Sequence, residues 1–524
     1  SEQITLIGTM TINLDSGGVC LISAFTGTTS TGTYTVLAGH NSNDLTATSV
    51  VVGTTARDLA LNDLNTALPG TNIATGSNII IDTVDPVITS ITSPSPDGAY
   101  DTGSNITIRI NFSEVVTLVG TMAINLDSGG VCVINPFTGT TTTGTYTVLA
   151  GENTLDLTAT SVVVNTTARD IAQNNLNTAL PGINIATGSN IVIDTTPPTI
   201  TSITSSTADG AYKAGDNINI RINFSEPITL VGTMAINLNS GGVCVINAFS
   251  GTTSTGVYTV LAGHTSADLT ATSVVVNVTA KDASTNDLVT TLPVTNIATG
   301  SNIIIDTTAP TITSITSSTA DGAYKAGDTV NIRINFSEPI TIVGTVTINL
   351  NSGGVCLIGA FSGTTTTGVY TILAGQTSAD LNATSVVVGT TARDAALNNL
   401  DTTLPGTNIA TGSNIIIDTT APTITSITSS TADGAYKAGD NINVRINFSE
   451  PVTIVGTVTI NLNSGGLCLI SAFTGTTTTG VYTVLAGHTS ADLTATSVVV
   501  GTTVRDAALN DLNTALPGTN IATG

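Results

Sequence analysis

Four oxygen-bearing side chains recur together along this sequence: an aspartate in Asp-Thr-x-x-Pro, a glutamate in Phe-Ser-Glu, an aspartate after Arg or Lys, and an asparagine four residues later. The sets are Asp82, Glu114, Asp170 and Asn174; Asp194, Glu226, Asp282 and Asn286; Asp306, Glu338, Asp394 and Asn398; and Asp418, Glu450, Asp506 and Asn510. Each member lies 112 residues from its counterpart in the next set. Brought to one place, three carboxylates would repel one another, with Arg393 as one nearby counter-charge in the third set. A hard cation such as Ca2+, which takes oxygen ligands at about 2.3–2.6 Å, would relieve that repulsion. The competing reading is structural, because Asp and Asn are ordinary turn residues that bond their own backbone, and a Glu after a strand is often solvated.

Other reactive residues carry no comparable pattern. His40, His264 and His488 share one repeat position, but Glu152 and Gln376 hold it in the remaining copies, an exchange that a catalytic base does not tolerate. The sequence has no nucleophile elbow, P-loop or Cys/His metal spacing. No enzyme is expected. The five cysteines, Cys20, Cys132, Cys244, Cys356 and Cys468, fall one to a repeat, which excludes a disulfide within a repeat and favours buried free thiols. Lys213, Lys325 and Lys437 in Tyr-Lys-Ala-Gly-Asp read as solvated turn residues. Asn111, Asn223, Asn335 and Asn447 in Asn-Phe-Ser are sequons that alternation points outward.

The elements that must position the four-residue sets alternate with period two. In "NIRINFSE" (331–338), Ile332, Ile334 and Phe336 share one face, with Asn331, Arg333 and Asn335 on the other. Similar runs occur at 311–317, 345–350, 355–360, 368–374, 383–389 and 414–419. Seven short strands between Gly, Asn and Ser turns predict an all-β fold, a two-sheet immunoglobulin-like sandwich repeated as tandem modules in an extended array. The expected boundaries are a partial module at 1–81, full modules at 82–193, 194–305 and 306–417, and a module lacking its last strand at 418–524. Opening within one repeat and stopping within another, the sequence is expected to be a window on a longer array. In immunoglobulin strand order, the linker aspartate, the Phe-Ser-Glu turn and the Arg-Asp turn meet where the chain enters a module. Asp97, Asp209 or Asp321 of the preceding module's Asp-Gly-Ala-Tyr turn would stand near them.

Composition narrows the partners. Only 9% of residues are charged and 3% aromatic, and the net charge is −23. That balance repels phosphate backbones and excludes nucleic acid as a partner. No apolar run approaches the roughly 20 residues that span a bilayer, so no membrane insertion is expected.

"DTTAPTITSITSSTADGAYKAGDTVNIRINFSEPITIVGT" (306–345), with "AGQTSADL" and "ARDAALNN" after it, resembles the tandem bacterial immunoglobulin-like repeats of large surface adhesins. The resemblance covers essentially every copy. It implies an extracellular or cell-surface protein whose modules extend the reach of a distal binding domain and in many cases hold calcium at their joints. One departure stands out: where the family usually has glycine before the last asparagine, this sequence has Leu397, Gln173 or Thr285. Two functions follow as expectations. One is a rigid adhesin stalk whose partners are neighbouring modules of the same longer chain. The alternative is a subunit of an extracellular filament, sheath or surface layer, built by lateral self-association of little-charged strands.

Overall fold

The computed structural model describes residues 1–523, so Gly524, the last residue of the 418–524 unit, lies outside it. The chain is nearly all β, with sheet units repeating at roughly 112 residues in an extended array. The stretch 306–417 forms ten strands: β1 (Ile312–Ser317), β2 (Gly322–Tyr324), β3 (Thr329–Val343), β4 (Val346–Leu350), β5 (Val355–Ile358), β6 (Phe361–Thr371), β7 (Thr377–Ser378), β8 (Ala383–Val388), β9 (Thr391–Arg393) and β10 (Ile415–Asp418). Seven of them make one antiparallel sheet in the order β1-β3-β6-β5-β4-β8, with β9 against the far half of β3. The other three make a small sheet in which β2 runs parallel to β10 and β7 antiparallel to it.

The seven runs legible in the sequence are all present, but they are not divided evenly between two sheets. Six belong to the large sheet, and only Ile415–Asp418 belongs to the small one, beside two strands of two and three residues. The long strand β3 continues straight through Phe-Ser-Glu. Its pairing with β6 shifts register between Asn335 and Ile340, and Pro339, which has no N–H to donate, sits in that unpaired stretch.

Alternation builds the core. Val330, Ile332, Ile334, Phe336, Ile340 and Ile342 of β3 point inward and join Ile415 and Ile417 of the small sheet in one buried cluster. Equivalent clusters lie within 88–193, 200–305 and 424–521, so none draws on two repeats. Cys132, Cys244, Cys356 and Cys468 are free and buried in them, and burial pushes each thiol up to about 11. A Cβ at Gly368 would meet the Cys356 Sγ at 2.6 Å.

The shared His position is an acceptor site. Tyr258 Oη lies 2.8 Å from His264 Nδ1, which also accepts from the Leu261 N–H. Gln376 Oε1 and Glu152 Oε2 take the same two hydrogen bonds in their units. An acceptor is all the position requires, which explains why three residue types alternate there. The sequon asparagines do not project freely: Asn335 Nδ2 donates to Ser314 Oγ at 2.7 Å, and Asn111, Asn223 and Asn447 repeat that bond.

Candidate metal centre at the joints

Asp306 is the last residue of the strand Ile303–Asp306 and pairs through its backbone with Thr265 of the preceding unit. Thr307 is also tied backward, accepting from the Gly263 N–H and donating to the His264 carbonyl. Pro310 is already tied forward, since its carbonyl accepts from the Asp401 N–H at 2.9 Å. Between these anchors only Thr308 and Ala309 are left to bend, and the Thr308 N–H is held by Asp306 Oδ1 at 3.0 Å.

Glu338 reaches the joint because it keeps the inward parity of β3, between buried Phe336 and Ile340. Asp394 follows β9 and is 5% exposed. Both its oxygens accept from Asn398, Oδ1 from the backbone N–H at 2.8 Å and Oδ2 from Nδ2 at 2.9 Å. Asn398 Nδ2 donates as well to the Asp306 carbonyl at 2.9 Å. This asparagine is therefore a clamp between two units, entering the site as a donor, and only a turned-over amide would offer an oxygen ligand.

The outcome is a triad. One carboxylate oxygen from each of Asp306, Glu338 and Asp394 lies within 4.8 Å of the others, and the same holds for Asp82, Glu114 and Asp170, for Asp194, Glu226 and Asp282, and for Asp418, Glu450 and Asp506. Burial, and then the adjacent aspartates, raise the Glu338 carboxyl above its ordinary value, and Glu114, Glu226 and Glu450 follow for the same reasons. Arg393 does not neutralise the cluster, because its Nε donates to Asn399 Oδ1 at 2.7 Å. Ligands at opposite sides of one calcium ion stand about 4.6–5.2 Å apart, so the spacing fits a single coordination sphere. The all-oxygen donor set suits a hard cation over a thiophilic one.

Asp97, Asp209 and Asp321 stay outside this site. Asp321 Oδ1 accepts from the Asn414 N–H at 2.8 Å, at the far end of the parallel β2/β10 pair from Asp418, and Asp97 and Asp209 do the same in their units. What the preceding unit contributes instead is the residue after its Tyr. Lys213 Nζ donates across the joint to the Leu397 carbonyl at 3.2 Å, and Lys325 to that of Leu509, so these lysines are not simply solvated.

Leu397 adopts φ 67°, and Leu61, Gln173, Thr285 and Leu509 are likewise left-handed. These are the positions where the resemblance leads one to expect glycine, and the turn keeps a glycine-like backbone without one, at a cost of about 1–2 kcal/mol each. In the first unit Asn62 bonds both oxygens of Asp58 in the same way. The Asp–Asn turn is thus common to all five units.

Fold and site together define a tandem β-sandwich repeat protein with acidic joints. No protein-family model matches the chain, and no curated protein matches it. Among the described residues no helix is long and apolar enough to cross a membrane.

Proposed function

We propose that this chain is the repeat region of a large extracellular surface protein, a rigid stalk that projects a distal binding domain and is stiffened by calcium at its joints. The observation that carries the reading is the shared triad: Asp306 is built into the sheet of one unit while its carboxylate meets Glu338 and Asp394 of the next. A cation held there would tie two units through charge, and the two-residue hinge beside it leaves little freedom to lose on binding. Asp306, Glu338 and Asp394 would hold the ion, with Asn398 fixing the aspartates. The bound ion would supply the positive charge that the cluster lacks. Extracellular modules hold calcium with dissociation constants of about 10⁻⁴–10⁻³ M, a range that millimolar calcium fills. The order of motifs that resembles adhesin repeats supports the same reading.

Electron microscopy and small-angle X-ray scattering of the chain in millimolar calcium and after chelation test it. Straight beaded rods that become flexible and shorter on chelation are expected. Identical shape and stiffness in the two conditions would reduce the triads to turns.

A further inference from the structure

The four joints have one length and one buried proline, Pro86, Pro198, Pro310 or Pro422, but the residue before that proline differs. It is Asp85 at the first joint, then Pro197, Ala309 and Ala421. Asp85–Pro86 is the sole Asp–Pro bond in the sequence. The nitrogen of a prolyl bond is a tertiary amide, which takes a proton and leaves more readily than a secondary one. An aspartyl carboxyl can reach its own backbone carbonyl by closing a five-membered ring. The fold leaves this bond open. Anchors lie on both sides of it, since the Thr83 N–H donates to Asn41 Oδ1 at 2.9 Å and the Pro86 carbonyl accepts from the Asn177 N–H at 2.9 Å. Between them Val84 and Asp85 are exposed. The Val84 N–H is held by Asp82 Oδ1 at 2.9 Å, whereas Asp85 has no hydrogen bond or ion pair among the described residues. Its carboxyl is free to turn onto its own carbonyl, and solvent reaches both.

We infer that Asp85–Pro86 is a self-cleaving bond, cut in mild acid while the chain is folded, with water as the only reagent. The side-chain carboxyl oxygen of Asp85 attacks the Asp85 carbonyl carbon and closes the ring. Its proton passes to the Pro86 nitrogen, the C–N bond breaks with its electron pair on nitrogen, and Asp85 is left as a cyclic anhydride. Water then opens the anhydride, giving a chain end with two carboxyls at Asp85 and a new amino terminus at Pro86. One water is consumed and nothing is oxidised. Attack from within one residue is unimolecular, which spares the entropy of bringing in a nucleophile. Aspartyl side chains take up their proton near pH 4, so the cut belongs to acid and is silent at neutrality. The titratable groups gathered at the same joint, Asp82, Glu114 and Asp170, are all acidic, and none would hold the Asp85 carboxyl ionised. Pro197, Ala309 and Ala421 offer no carboxyl. The cut therefore severs the covalent link between the first two units and spares the three later joints. It does not depend on a metal at the triad.

Mass spectrometry of the full chain tests it, at the lowest pH at which the β circular dichroism matches that at neutrality, with chelator present to keep the triads free of metal. The end-capped peptide TVDPVIT (83–89) in the same buffer gives the rate of the unprotected bond. Two products, 1–85 and 86–524, are expected, formed as fast as the peptide is cut. Asp85→Glu, which keeps the charge but enlarges the ring, should slow the cut about tenfold or more. Asp85→Ala, which copies Ala309 and Ala421, should abolish it. Ala309→Asp should add a second cut before Pro310. A folded chain cut at least tenfold more slowly than the peptide, about 1.4 kcal/mol on the barrier, would overturn the inference. So would an Asp85→Glu chain cut as fast as the parent, or an Ala309→Asp chain with no new cut.

Discussion

At the joint that ends in Asp306, Lys213 of the preceding unit donates to the Leu397 carbonyl at 3.2 Å. One repeat earlier, at the Asp194 joint, the residue in the place of Lys213 is Asp101, and it accepts from Thr285 Oγ1 at 2.8 Å. Thr285 stands where Leu397 stands later, and Lys281 replaces the arginine of the other copies. Lys281 Nζ donates to the Thr285 carbonyl at 2.8 Å, so that acceptor is satisfied within its own unit and the hydroxyl is the group left to cross the joint. Ser104, then Thr285, with a smaller part from Lys281, hold the Asp101 carboxyl below its usual range. Donor and acceptor have exchanged sides, yet a hydrogen bond persists in the same place. The carboxylate triad, in contrast, is chemically unchanged at both joints. The pair teaches that the triad is a common requirement of a joint, while the contact beside it is adjusted joint by joint.

If the triad is the common part, breaking it should cost the same at either joint. Calorimetric titration of the chain is expected to give four calcium ions, one for each triad. Asp282→Asn and Asp394→Asn should each lower that number by one. At calcium a hundred times its dissociation constant, the affected unit should lose about 2.7 kcal/mol of ligand-linked stability. Unequal losses at the two joints would break the comparison, and no loss at either would remove the ion from the site.

Acidity provides a second, smaller test. Glu226 and Glu338 have carboxyls raised by burial and by their flanking aspartates. Each binds its proton more tightly folded than unfolded, so without calcium the stability linked to it is complete below the unfolded value of about 4.3 and is lost as pH rises through the raised folded value. Thermal unfolding after chelation should therefore improve on acidification from neutrality toward pH 5, at both joints alike. With calcium bound, protons compete with the ion, and the same acidification should destabilise. Equal pH slopes with and without calcium would dissociate the glutamates from any ion.

The triad was legible because repetition did the alignment: three carboxylates and an asparagine in register at every copy need only a fold that gathers them. Glu338 even sits at a core-facing parity, which a solvated glutamate has no reason to keep. The role of Asn398 was not legible, because an amide offers both donor and acceptor and only its neighbours select one. The displacement of Asp321 followed from β2, a strand of three residues too short to show a period. Lys213 was read as solvated because its partner is a backbone carbonyl 184 residues away, exposed by a left-handed turn at a leucine that no propensity would place there. Side-chain patterns carried the sheets, and backbone groups carried much of the joint.

The smallest expected effect sharpens the contrast most. Asp101→Lys places a second ammonium near Lys281 at the Asp194 joint and removes the acceptor of Thr285. The groups are largely solvated, so the cost is up to about 1 kcal/mol, visible as wider angular motion across that joint by single-molecule energy transfer and not as a lower unfolding temperature. Combining it with Thr285→Leu and Lys281→Arg brings the Asp194 joint to the chemistry of the later ones: the arginine should keep the ion pair with Asp287 that Lys281 already makes, as Arg505 does with Asp511 at the Asp418 joint, and give up the carbonyl at 285 to the new lysine. Mobility should then return to that of the parent. A triple variant as loose as the single one would mean that the crossing contact is incidental, and that the short hinge and the triad alone set the geometry of the joint.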